Sequence, residues 1–122
     1  MAALHLQRGL AAEALAAQFL EARGLKVLAR NLRCKLGEID LVCLDIDVLV
    51  IVEVRQRAKA AFGGALVSVT RRKQVKIIRA AQYCLCANTE WRRHSLRFDV
   101  LAIDGLPAGV HHIAWVKDAF RA

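Results

Sequence analysis

The sequence predicts an α/β domain in which a central mixed sheet of four or five strands carries a helix on each side. Three observations predict it. Residues 48–52, VLVIV, are a continuous β-branched and leucine run of the kind that fills a strand covered on both faces. Helical periodicity precedes that run at 6–22 and returns at 70–87. An alternating strand pattern at 96–103 then follows the second helix, so strand, helix and strand come in the order of a crossover between parallel neighbours.

At 122 residues the chain fits a single domain, 1–122. Along the first helix, Leu6, Gly9, Leu10, Glu13, Ala16, Ala17 and Leu20 share one stripe. Glu13 is a carboxylate inside that apolar stripe and needs a partner; a buried ion pair with Arg30, Arg33 or Arg97 would serve. Gly24 ends the helix as a glycine past the cap does. Segments 26–31, 38–44 and 48–55 read as an antiparallel meander. A polar, basic connection at 31–37 and a turn at Asp45-Ile46-Asp47 join them.

Within the meander, Leu49, Ile51, Glu53 and Arg55 share one strand face, and Asp40 on the neighbouring strand comes near Glu53. Two carboxylates at a core edge repel and lose hydration, which demands a cation or a basic group. Residues 57–69 lack a period, contain Gly63-Gly64 and carry Arg57 and Lys59, which reads as a loop or a phosphate-contacting flap. In the second helix Thr70 is the N-cap, and Val75, Ile78, Ala81 and Leu85 form the expected buried stripe.

Arg71, Arg72 and Lys73 crowd that helix's first turn, where positive charge opposes the dipole but augments anion binding. Arg72, Lys76, Arg79 and Tyr83 continue along one face, and no acidic residue occurs from Val54 through Thr89. Segment 88–94 reads as a loop with Trp91 as a core anchor, a stacking side chain being the rival reading. In the strand at 96–103, Phe98, Val100 and Ala102 face one way and Arg97, Asp99 and Leu101 the other. A turn at Asp104-Gly105-Leu106-Pro107 precedes an edge strand at 110–116.

Nineteen Lys plus Arg against eleven Asp plus Glu give a net charge of +8, which favours a polyanionic partner, nucleic acid first. No apolar run approaches the ~20 residues that span a bilayer, and the N-terminus lacks the basic-then-apolar order of a secretory signal. The expectation is a cytoplasmic protein without a membrane partner, its cysteines 34, 43, 84 and 86 reduced. Cys43 and Cys84 fit as buried hydrophobes; a zinc site from Cys84, Cys86 and His94 is the rival, against the usual ligand spacing.

Four segments together resemble a known family: GLAAEALAAQFLEARG, NLRCKLGEIDLV, VIVEVRQR with the following FGGALVSVTRRKQ, and RFDVLAID. The D…ExR order resembles the PD-(D/E)XK signature of the restriction-endonuclease-like superfamily. The four segments are similar to one bacterial branch of it, the uncharacterised YraN-type family, whose members resemble archaeal Holliday-junction resolvases. The resemblance implies a restriction-endonuclease-like fold, with Mg²⁺ or Mn²⁺ held by Asp40, Glu53 and the Val54 carbonyl, and Glu13 bordering or sharing the ion. Arg55 stands where the superfamily has Lys; a guanidinium can hold phosphate charge but stays protonated and cannot deprotonate water.

The implied function is a nucleic-acid-binding protein acting as a Mg-dependent, structure-selective endonuclease. Asp40, Glu53, Arg55 and Glu13 would be catalytic, with Arg57, Arg71, Arg72, Lys73 and Lys76 on the phosphates. DNA, branched DNA included, is the expected partner, and a homodimer is compatible with the chain. The alternatives are a non-catalytic nucleic-acid-binding module on the same fold, or an interaction protein whose charge cluster holds the sheet together.

Overall fold

The computed structural model describes residues 2–57, 69–104 and 112–122, with the side chains of 2–10 and 57 excepted. In chain order the elements are α1 (Ala2–Glu21), β1 (Lys26–Cys34), β2 (Gly37–Asp45), β3 (Val48–Arg57), α2 (Arg71–Ala87), a 3₁₀ turn (Trp91–Arg93), β4 (Ser95–Asp104) and β5 (His112–Phe120). The strands form one mixed sheet in the order β1-β2-β3-β4-β5. Only β3 and β4 run parallel; every other neighbouring pair is antiparallel. This is the α/β, restriction-endonuclease-like architecture the sequence predicts, with five strands.

Because side chains alternate along β3, the VLVIV run supplies both cores. Leu49 and Ile51 pack with Ile77, Ile78, Ala80, Ala81 and Cys84 of α2. Val50 and Val52 pack with Ala12, Ala16, Ala17 and Leu20 of α1. The three alanines are small enough to let α1 lie close against the sheet. On β4, Phe98, Val100 and Ala102 join the α2 side while Leu101 and Ile103 join the α1 side, as the alternation predicts.

Both helix boundaries read from sequence are realised. Gly24 has φ +92°, its N–H donates to the Glu21 carbonyl at 3.0 Å, and the Leu25 N–H reaches back to Leu20 at 3.1 Å. That pair of bonds is a Schellman motif, closed by Leu20 and Leu25 in the same core. The Thr70 hydroxyl caps α2 by accepting from the Lys73 N–H at 3.2 Å.

Several expectations are corrected. β1 does not stop at Asn31: it continues to Cys34, pairing Leu32 with Ile39 and Arg33 with Glu38, so the basic connection collapses to a two-residue turn. Asn31 adopts φ +51° in mid-strand, a conformation that Asn tolerates better than most residues. The buried stripe of α2 is Ile77, Ile78, Ala80, Ala81 and Cys84, whereas Val75 and Leu85 are half-buried, because the helix is rotated about its axis relative to the predicted stripe. The last strand is displaced to His112–Phe120. The segment read as a loop or flap falls almost entirely outside the described residues, as do Lys59, Gly63, Gly64, Gly105 and Pro107.

Cys43 and Cys84 are buried, as expected, and the rival zinc cluster is not assembled. Cys84 is buried and hydrogen-bonded to Cys34, Cys86 is exposed, and His94 Nδ1 lies 2.9 Å from the Asp47 carbonyl. Trp91 is half-buried against the α2-side core, as an anchor should be.

Candidate functional site

The ladder between β2 and β3 is registered from Asp45↔Val48 up to Leu41↔Val52. Asp40 and Glu53 are the next residues on each strand, the first beyond that register. The Asp40 carboxylate replaces a ladder bond: its Oδ2 accepts the Val54 N–H at 2.9 Å. Alternation puts Glu53 on the face of Leu49 and Ile51, which the fold turns to the α2 side, and there its Oε1 lies 3.1 Å from Lys73 Nζ and 3.6 Å from Arg55 Nη1.

Glu13 arrives from α1, on the opposite side of the sheet. Its carboxylate and those of Glu38 and Asp40 each place an oxygen within 4.8 Å of the others. Asp40, Glu38 and Glu53 also line a cavity of about 200 Å³ shared with Gly37, Lys73 and Lys76. Gly37 has φ +152°, a backbone conformation that L side chains rarely adopt, so the start of β2 depends on glycine there.

The electrostatics follow from the crowding. Burial first, then the charge of Glu53, push the Asp40 carboxyl up from 3.8 to about 7, against the pull of the Val54 N–H. Burial likewise raises Glu13, helped by Glu38 and Glu53 and opposed by a hydrogen bond with the Asn31 side chain and by Arg30. Hard carboxylate oxygens converging from three residues match the donor preference of Mg²⁺, Mn²⁺ or Ca²⁺, and a cation there would relieve the repulsion that raises both groups.

The candidate ion-pair partners of Glu13 face other carboxylates, although the charge of Arg30 still acts on it. Arg30 faces Glu21 at 3.9 Å, Arg33 faces Glu38 at 3.9 Å, and Arg97 binds Asp99 and Asp45. Two participants were missed by sequence reasoning. Glu38 drew no reading of its own, although alternation sets it on the same strand face as Asp40 two residues later. Asn31 looked like a turn residue.

The basic residues divide. Arg72, Lys76 and Arg79 are exposed on α2 along with Tyr83, as the helical spacing predicts. Lys73 is turned inward onto Glu53. Arg71 donates to Gln74 Oε1 at 3.2 Å and to the Arg121 carbonyl at 3.3 Å, which draws it toward the C-terminal end of the chain. The Arg57 side chain lies outside the described residues.

Asp99 marks a second, structural charge cluster. It is wholly buried, yet its oxygens accept from Arg97 Nε at 2.9 Å, Arg97 Nη2 at 3.0 Å, Trp115 Nε1 at 2.9 Å and the Asp118 N–H at 2.9 Å. The last bond holds the irregularity in the β4–β5 pairing, where Asp118 takes φ +52°. Arg97 is raised above its ordinary value, chiefly by its hydrogen bonds to Asp99. A cavity of about 470 Å³ adjoins this cluster, but its charged groups Arg97 and Asp118 are already bound to Asp99 and Arg121.

Residues 12–103, from the middle of α1 through nearly all of β4, match one protein family. The chain belongs to the uncharacterised protein family UPF0102. UPF0102 is the YraN-type family that the four sequence segments resemble. The chain is similar to a UPF0102 protein of Pseudomonas savastanoi pv. phaseolicola, 49% identical over 93% of each chain. It is similar to one of Pseudomonas putida F1, 47% identical over 98% of each, and to one of Stutzerimonas stutzeri, 50% identical over 93% of this chain and 94% of the relative. The match therefore takes in the whole candidate site, from Glu13 to Lys76.

Proposed function

We propose that this UPF0102 protein binds DNA along the exposed face of α2 and hydrolyses a phosphodiester at the acidic cavity with Mg²⁺ or Mn²⁺. The observation that carries the reading is the convergence of Glu13, Glu38 and Asp40 within 4.8 Å, next to a cavity that Lys73 and Lys76 also line. A structural ion-pair cluster balances its charges, as Asp99 and Arg97 do. Among the described residues this one gathers three acids whose basic neighbours, Arg33 at 3.9 Å from Glu38 and Arg30 near Glu13, are exposed side chains at its edge, and it places Lys73 and Arg55 beside it at Glu53.

Glu13, Glu38 and Asp40 would hold the ion. When bound, it would supply charge for the scissile phosphate and acidify a bound water. The rest is done by the chain. The Val54 N–H fixes the Asp40 carboxylate, so that member of the ligand set is held in place before any ion binds. Glu53, beside that set, holds Lys73 at 3.1 Å. An ammonium has three donors and Glu53 uses one, so Lys73 can also orient a water or a phosphate oxygen. Arg55, at 3.6 Å from the same carboxylate, is suited to clamping phosphate charge. The pair thus divides the work that a single Lys performs in the superfamily signature: an ammonium from α2 and a guanidinium from β3. Lys76, which lines the cavity, and Arg72 beyond it would track the backbone.

The test is cleavage of labelled branched, single-stranded and duplex DNA in Mg²⁺ and Mn²⁺, with Asp40→Asn alongside. Cleavage that needs the ion and is lost in Asp40→Asn supports the reading. Tight, salt-sensitive binding without cleavage of any substrate in either metal would overturn the enzymatic part and favour the non-catalytic module.

A further inference from the structure

A second cavity, of about 250 Å³, lies between the end of β1 and the C-terminal half of α2. Leu32 and Cys34 line it on the strand side, and Tyr83 and Trp91 line it on the other. Tyr83 is 43% exposed, one of few large apolar side chains so open to solvent among the described residues. Arg33 stands at the rim, its side chain 76% exposed. Asn88 completes the lining with its Oδ1 already taken by the N–H groups of Glu90 and Trp91, which leaves its amide nitrogen as the group it offers.

We propose that this cavity takes an unpaired nucleobase of a DNA strand whose backbone runs along α2 from the acidic cavity. The proposal rests on the DNA binding argued above and adds the class of DNA, one with an unpaired base. Arg72, Lys76, Arg79 and Tyr83 recur at intervals of four, three and four, a single stripe on one helix face, and all four are exposed. Lys76 lines the acidic cavity and Tyr83 lines the second one. Seven residues at ~1.5 Å each separate them by about 10 Å along the helix. That span covers about three nucleotides of a stacked strand at ~3.4 Å each.

An exposed aromatic ring interleaved with cations is how non-specific single-strand binders hold a base while the charges hold the phosphates. In a continuous duplex every base is stacked and paired, so Tyr83 and the cavity behind it would have nothing to receive. The tyrosine therefore discriminates for unpaired segments, three or so nucleotides from the phosphate held at the acidic cavity.

The experiment measures the affinity of wild type, Tyr83→Ala, Tyr83→Phe and Arg72→Ala for a fluorescent DNA single strand, a continuous duplex and a duplex with a short gap. A base stacked on one aromatic ring predicts that Tyr83→Ala weakens single-strand and gapped binding by roughly 5- to 100-fold. Duplex affinity should be unchanged, and Tyr83→Phe should behave as wild type because the ring remains. An abasic position walked along the single strand should weaken wild type at one place and leave Tyr83→Ala indifferent. Arg72→Ala should weaken all three DNAs alike, since phosphate contacts do not read pairing.

Equal losses on single strand and duplex in Tyr83→Ala, or no loss on either, would overturn this inference while leaving DNA binding intact. If wild type binds no DNA even at low salt, the proposed function fails and this inference falls with it. Melting curves of both Tyr83 variants show whether they fold; if Tyr83→Ala alone is unfolded, the abasic walk on wild type decides.

Discussion

Asp40→Asn separates a cation site from a structural charge cluster. In wild type the Asp40 carboxyl is raised from 3.8 to about 7, first by burial and then by Glu53. Between those two pH values the native protein retains a proton that the unfolded chain has released. Stability therefore falls as pH rises from about 4 to about 7 and levels off above. At 1.36 kcal/mol per pH unit, the ionised carboxylate would cost at most about 4 kcal/mol at pH 8. Lys73 at 3.1 Å and Arg55 at 3.6 Å offset part of the Glu53 charge, so roughly half of that, about 2 kcal/mol, is the working figure.

Asparagine stays neutral at every pH, and its amide oxygen can still accept the Val54 N–H that Asp40 accepts at 2.9 Å. The metal-free variant should therefore melt roughly 5–10 °C above wild type at pH 8, with the gap closing towards pH 4. Adding Mn²⁺ should raise the melting temperature of wild type and leave Asp40→Asn unmoved, because only a native state with its ligand set intact gains from binding. Asp40→Ala, which also deletes the acceptor, should fall about 1–3 kcal/mol below Asn. A loss of roughly 3–5 kcal/mol in Asp40→Asn at all pH values, with wild type blind to Mn²⁺, would show Asp40 to be half of a buried ion pair and would refute the reasoning.

Asp99→Asn should behave in the opposite way: it leaves Arg97 only its Asp45 pair at 3.1 Å and sets an amide N–H₂ against two of the four donors that Asp99 accepts, costs roughly 3–5 kcal/mol in chemical denaturation, and leaves any Mn²⁺ response of the melting temperature unchanged. With a net charge of +8 and about five phosphates neutralised, the logarithm of DNA affinity should fall against log salt with a slope of roughly −4 to −5, as titrations across ionic strength will show. Arg72→Ala and Lys76→Ala should each flatten that slope by about 1 on every sequence while hardly moving the melting temperature, since both side chains are exposed. Arg55→Lys should keep or increase metal-dependent cleavage, whereas Lys73→Met should abolish it; single-turnover rates on folded variants distinguish the two, and abolition by Arg55→Lys would make the guanidinium clamp indispensable.

The elements were legible where their signals are local. A five-residue apolar run marks β3, glycine at a left-handed position ends α1, and a threonine hydroxyl starts α2. Each of these is decided within a turn or a strand's width of sequence. The rotation of α2 was less legible because Val75, Ile77, Ile78, Ala80, Ala81, Cys84 and Leu85 allow more than one apolar stripe. Packing against Gly37 and Ile39 at the start of β2 chose among them. The end of β1 was missed because its polar residues resemble a turn, whereas cross-strand partners such as Glu38 for Arg33 hold it in the sheet.

By itself the sequence determined the α/β class, the family, the one-sided cations of α2 and the juxtaposition of Asp40 with Glu53, since period and strand alternation are properties of neighbouring residues. Tertiary structure alone decided that Glu38 and Asp40 meet Glu13 from across the sheet, that Lys73 leaves the cationic face for Glu53, and that Arg97 belongs to Asp99. Those pairings depend on where the β2–β3 register ends and on how each helix is turned. Both are set by packing among residues distant in the chain, so no local pattern carries them.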